Sequence, residues 1–304
     1  MARTGKDGAD RLVLQADRQL EGQIRGLSAR RIVFFVGLPG TGKSLLVHQL
    51  AHLAAGAGRS VHLLQWDVAR PAFEASPAGR SYPLAGGVTH AVIRKAAGLW
   101  VRQALVEWDA RHPGPEPLLV GETPFVGNRF VELAQRHEDP AEALLTAPSC
   151  RFVIAAPSAE VRRFLEAERE RRAARPLHPR EREDAPPHVL HDLWRDLAAV
   201  ARGLGITAAA AVAPYDPLVY RRVYETILRH RPVEVVGLDV ILPTETLSVY
   251  DFAAPPPDLA PTEAEANSCI RAVERRYPDP TVLDREIASW WRVDEPRRVE
   301  EAGS

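Results

Sequence analysis

Gly37-Leu38-Pro39-Gly40-Thr41-Gly42-Lys43-Ser44 stands between the apolar run Ile32-Val33-Phe34-Phe35-Val36 and a segment in which Leu46, Leu50, Leu53 and Ala54 recur at helical spacing. The run before it is rich in β-branched and aromatic residues and stops at a glycine, which is how a strand buried on both faces reads. Gly56 and Gly58 end the helix that follows, as C-terminal glycines do. The order is therefore strand, glycine loop, helix. The loop fits G-x-x-x-x-G-K-[ST] without a gap. At average residue usage a chance match in a chain of this length has odds of about one in a hundred.

These residue types suit the binding of phosphates. Glycines let successive N–H groups turn inward as an anion nest, and the helix N-terminus adds its positive dipole end. Lys43, read as part of a solvated loop, would bring a mobile cation to the β- and γ-phosphates, and the Ser44 hydroxyl would be a Mg²⁺ ligand. Gly37, Pro39, Gly40, Thr41, Gly42, Lys43, Ser44 and Leu45 are the expected nucleotide-binding set, with ATP and Mg²⁺ as the expected ligands.

Strand and helix signals alternate outward from the loop. Strands are expected at residues 60–66, 118–120, 151–155 and 233–242, and helices at 10–28, 89–111, from about 128, after Ser158, at 188–203 and at 217–229. A proline-bearing loop is expected between residue 67 and the long helix. Such alternation predicts an α/β fold with a mainly parallel sheet flanked by helices on both faces. A lead-in covers residues 1–29, the main domain 30–245, and a C-terminal extension 246–304. Pro255-Pro256-Pro257 reads as a linker or stiff turn within the extension, and Trp290-Trp291 as a packing anchor for the tail.

Three segments add chemistry. Asp67 closes the second strand and Arg70 follows; ligands in open α/β sheets sit beyond the carboxyl ends of strands. An acid there can take the proton of an acceptor hydroxyl, and the arginine can hold an anionic acceptor. A loop aspartate capping a turn is the competing reading. Glu122 ends the third strand and could hold a metal-bound water or orient a nucleophile, while Arg129 is a candidate anion contact. Arg169, Arg172 and Arg175 share one helical face inside an arginine-rich span, 166–187, that could act as a lid over the phosphates. A solvated helix laced with Glu166, Glu168 and Glu170 pairs competes with that reading.

This order of features resembles the P-loop kinases, nucleoside and nucleoside-monophosphate kinases being closest in layout, over residues 30–245. The resemblance implies phosphoryl transfer to a small molecule, with Lys43 and Ser44 on the phosphates and Mg²⁺, Asp67 as base, and Arg169, Arg172 or Arg175 as lid arginines. It departs from the pattern at Glu122-Thr-Pro, where nucleoside kinases carry an acid-Arg-Ser triplet. The loop is also close to that of AAA+ ATPases, which normally bear two adjacent acids where Glu122 stands alone. An ATPase or nucleotide-gated regulator without an acceptor is thus the rival expectation.

Bulk properties exclude other classes. A formal net charge of −1 gives no global signal for nucleic acid or an anionic membrane. Two cysteines, Cys150 and Cys269, make neither a disulfide framework nor a metal-ligand spacing. The apolar runs are too short to span a bilayer, and a cytoplasmic location is the expectation.

Overall fold

The strand before the glycine loop occupies the middle of the sheet. In the computed structural model residues 12–85, 87–183, 187–208, 214–245, 248 and 258–294 are described. Residues 1–11, Gly86, Asp184, the 209–213 part of the alanine-rich run and the triple proline 255–257 lie outside them, as does the Arg180 side chain.

In chain order the elements are α1 (Arg18–Leu27), β1 (Ile32–Val36), α2 (Lys43–Gly56), β2 (Val61–Gln65), α3 (Trp66–Ala75), α4 (Ala91–Arg111), β3 (Leu118–Thr123), α5 (Ala141–Thr146), β4 (Cys150–Pro157), α6 (Ala159–Ala174), α7 (Pro187–Gly203), α8 (Pro217–Ile227), β5 (Val233–Leu238), α9 (Glu263–Arg276) and α10 (Pro280–Ala288). The sheet order is β2-β3-β1-β4-β5, and every pairing is parallel. The α/β fold with helices on both faces is as the alternation predicts.

Side-chain period two divides the core. Val33 and Phe35 face α1 and α2, together with Leu118 and Val120 of β3. Ile32, Phe34 and Val36 face the other side, where α3, α4, α7, α8 and α9 pack. All five β1 residues are buried, which accounts for the unbroken apolar run. The chain leaving β1 turns to α2 on one face, whereas the chain leaving β2 and β3 turns to the other. Adjacent β1 and β3 therefore send their loops apart, opening a crevice at their carboxyl ends.

Several local expectations are corrected. No loop follows β2; α3 begins at once at Trp66 and contains Pro71, whose fixed φ suits a helix even though it donates no bond. Gly121 does not end β3. It sits inside the strand because the Phe34 ring occupies the space a Cβ would need. No helix starts at Asn128: Phe125, Asn128 and Phe130 all have positive φ, which no helix tolerates, and only a 3₁₀ turn at Val131–Leu133 forms. β5 stops at Leu238, short of residue 242.

The C-terminal extension is no appendage. Ala266, Cys269, Ile270 and Val273 of α9 belong to the same buried cluster as Trp100 and Leu105 of α4, and Trp290 joins them. Thr262 and Glu265 cap α9 reciprocally.

Candidate functional site

The glycine loop starts where β1 ends, and its glycines are required by what surrounds them. Gly37, Gly40 and Gly42 all have positive φ. A Cβ on Gly37 would run into the Tyr220 hydroxyl, which α8 holds there by donating to the Ala155 carbonyl at 3.1 Å. Thr41 closes the turn by donating to the Leu38 carbonyl at 2.9 Å.

Lys43, the first residue of α2, folds back over the loop. Its ammonium donates to the Leu38 carbonyl at 2.9 Å and lies 3.5 Å from Glu122 Oε1. The same carboxylate oxygen accepts from the Ser44 hydroxyl at 3.3 Å. Lys43 is only 4% exposed, so the solvated position expected of it is corrected: α2, β3 and the loop enclose it. Period two explains how Glu122 comes to be there. Leu118 and Val120 face α2, and Glu122 is next on that side of β3, opposite Phe35 in register.

Burial depresses the Lys43 ammonium from its ordinary value, and the Glu122 charge opposes that. Glu122 is raised by burial, with Lys43 opposing and the Asp67 charge adding to the rise. Lys43, Ser44, Glu122 and Asp67 thus form one electrostatic group.

Asp67 is exposed in the first turn of α3 and caps no helix; its field reaches Lys43, Glu122 and Arg129. Arg70 is half-buried and paired with Glu74 at 3.3 Å. Arg129 donates to the Val126 carbonyl at 2.9 Å and faces Asp67 and Arg70. The acid and the two arginines singled out beyond the second strand are therefore neighbours.

The arginine-rich helix behaves differently along its length. Arg172 bonds Glu168 at 3.3 Å, Glu181 at 2.8 Å and the Thr244 carbonyl at 2.7 Å, tying α6 to the 3₁₀ turn Pro179–Glu183 and to the chain past β5. Arg169 is half-buried and Arg175 exposed. Glu–Arg pairing of this sort is what the competing reading of the segment expects.

Sequence reasoning missed Arg162. It is 1% exposed at the start of α6, where Nη1 donates to the Pro39 carbonyl at 2.8 Å and Nε to Glu166 at 2.7 Å. Its guanidinium lies over the Tyr215 ring, and Nη2 has no hydrogen-bond partner among the described residues. Nothing local marks it out from Arg163; only the return of α6 to the loop does.

No described helix is long and apolar enough to cross a membrane. Among the described residues no three His, Cys, Asp or Glu side chains gather as a metal site. A groove of about 930 Å³ runs along the outer edge of β5 and α8, lined by residues such as Arg221, Arg229 and Asp239 rather than by this constellation. Compared with protein-family models, with curated proteins and with solved structures, the chain matches none.

Proposed function

We propose that the 37–44 loop is a P-loop that binds a nucleoside triphosphate with Mg²⁺, and that the chain passes the terminal phosphoryl group to a small-molecule acceptor. The observation that carries this reading is the meeting of Lys43, Ser44 and Glu122 at the N-terminus of α2, directly beneath a three-glycine turn. Backbone N–H groups and the helix end favour phosphate there.

The residues fit both ligands. Arg162 ties the loop to α6 through the Pro39 carbonyl, and the absence of a Cβ on Gly37 lets the loop pack against the Tyr220 hydroxyl. Mg²⁺ keeps most of its waters and takes one or two protein oxygens, which the Ser44 hydroxyl and the Glu122 carboxylate can supply. When bound, the ion would add positive charge beside the phosphate oxygens.

Lys43 neutralises charge on the β- and γ-oxygens once a phosphate draws it from the Leu38 carbonyl. Arg162 fixes the loop, and its Nη2, which has no hydrogen-bond partner among the described residues, lies beside it. Asp67 accepts the proton of the acceptor hydroxyl as that oxygen bonds to the terminal phosphorus. The bond from phosphorus to the bridging oxygen breaks, and the nucleoside diphosphate leaves with that electron pair.

The test is calorimetric titration of ATP with Mg²⁺ into the wild-type chain and into Lys43→Gln. Wild-type binding, weakened about a hundredfold in the variant, is the expected result. Equal affinity for the two proteins, both folded, rejects the assignment. Transfer of labelled phosphate from ATP into a pool of small metabolites then separates a kinase from a plain ATPase.

A further inference from the structure

Two arginines far apart in sequence are fastened to consecutive carbonyls of one turn. Arg129 Nη1 donates to Val126 at 2.9 Å, and Arg94 Nη1, from the first turn of α4, donates to Gly127 at 2.8 Å. A Cβ on Gly127 would lie 3.3 Å from Arg94 Nη1 and 3.5 Å from Arg129 Nη1, so both cations crowd a spot that glycine leaves open. Gly127 also has a φ of 68°, and Asn128 beside it 62°.

Two like charges held this close repel. Burial, with Arg129 added, brings Arg94 down to about 10. Arg70 adds a third cation that acts on Arg129. Nearby acids act against this repulsion without touching either guanidinium: Asp67 and Asp196 act on Arg129, Asp284 acts on Arg94, and Glu74 pairs with Arg70. Arg94 and Arg129 are thus anchored by neutral carbonyls, with no carboxylate in ion-pair contact among the described residues. The Nε atoms of Arg70 and Arg94 are buried and have no hydrogen-bond partner among the described residues.

Guanidinium forks with donors to spare, gathered beside a glycine, suit the paired oxygens of a phosphate or carboxylate. We infer that the 126–129 turn is an anion subsite, in which Arg94 and Arg129 grip a fixed phosphate or carboxylate group of the acceptor, with Arg70 behind them. This rests on the reading of the Asp67 side as the acceptor side. The acceptor class is then an anionic metabolite whose hydroxyl meets Asp67 while its charged group meets the turn. Arg94 is the part that sequence reasoning did not reach, because it lies 35 positions before Arg129.

The experiment titrates inorganic phosphate, and separately malonate, into Lys43→Gln, which lacks the loop lysine and keeps the arginine turn. At least one of the two anions should bind, and the tighter of them names the anion. Arg94→Gln and Arg129→Gln, each added singly, should weaken that binding about tenfold or more. Arg94→Lys and Arg129→Lys, which keep the charge and a donor for the carbonyl, guard against misfolding and should weaken it too, because the fork is lost. Unchanged affinity across the folded arginine variants, or no binding of either anion to Lys43→Gln, overturns the subsite. If ATP fails to bind the wild-type chain while phosphate still depends on Arg94 and Arg129, the nucleotide reading falls and the anion subsite stands.

Discussion

Glu122 Oε1 is shared: the Lys43 ammonium lies 3.5 Å from it and the Ser44 hydroxyl 3.3 Å. One carboxylate oxygen thus engages both side chains that are proposed to meet phosphate and metal. Any ligand that draws Lys43 away leaves Glu122 with less positive charge, unless the ligand brings a cation of its own. Nucleotide and Mg²⁺ should therefore bind with strong mutual dependence.

That relationship sets a pH dependence. Burial raises Glu122 above its ordinary 4.5. A group raised in the folded state contributes stability that is fully present below its unfolded value and is lost as pH rises through the folded one. Glu122→Gln, neutral throughout, lacks this slope. Urea unfolding of both proteins at about pH 4 and about pH 8 checks it: the wild type should lose stability relative to the variant on going to the higher pH.

Asp67→Asn keeps shape and removes the basic oxygen. ATP affinity should hold, and transfer should fall about 10²–10⁴-fold in steady-state kinetics. Asp67 is exposed and caps no helix, so the melting temperature should barely move. A variant that transfers normally removes Asp67 from the chemistry.

The two ends of α6 should respond in opposite ways. Arg172→Ala takes the guanidinium from Glu181, a buried carboxylate that keeps its bonds from the Leu177 and His178 amides, and should cost about 1–3 kcal/mol of stability while sparing ATP affinity. Arg162→Ala frees the Pro39 carbonyl and should weaken ATP binding more than it lowers the melting temperature. If Arg172→Ala instead lowers kcat with stability intact, α6 acts as a lid through Arg172.

A buried relay connects α10 to the 126–129 turn. Lys95 of α4 pairs with Glu132 at 2.9 Å and with Glu286 of α10 at 2.7 Å, and Glu132 accepts from Asn128 Nδ2 at 3.1 Å. Lys95→Ala leaves Glu132 buried and uncompensated and should cost about 3–5 kcal/mol in denaturant unfolding. Glu286→Gln keeps a hydrogen-bond acceptor for Lys95 and should cost much less.

Period and punctuation made the sheet legible. Ile32–Val36 and its glycine stop could be read without a structure because a strand buried on both faces has no polar residue to confuse it. Pro71 misled, since a proline reads as a loop although its φ also suits a helix. Asn128 and Phe130 misled because nothing in their side chains announces positive φ. Ala266, Cys269, Ile270 and Val273 carry the i, i+3, i+4, i+7 signature of a packed helix, so α9 is legible in the sequence. Arg94 and Arg162 were not readable, because their worth lies in contacts with Gly127 and Pro39 that only the folded chain creates.

Among the described residues β1 precedes every other strand, yet the two it lies between, β3 and β4, begin at Leu118 and Cys150. On a translating ribosome its most apolar segment therefore emerges with both edges bare, and stays so for on the order of ten seconds at ordinary elongation speeds. Bare strand edges recruit other chains. The strand that seats the glycine loop is thus the one most dependent on whatever shields a nascent polypeptide.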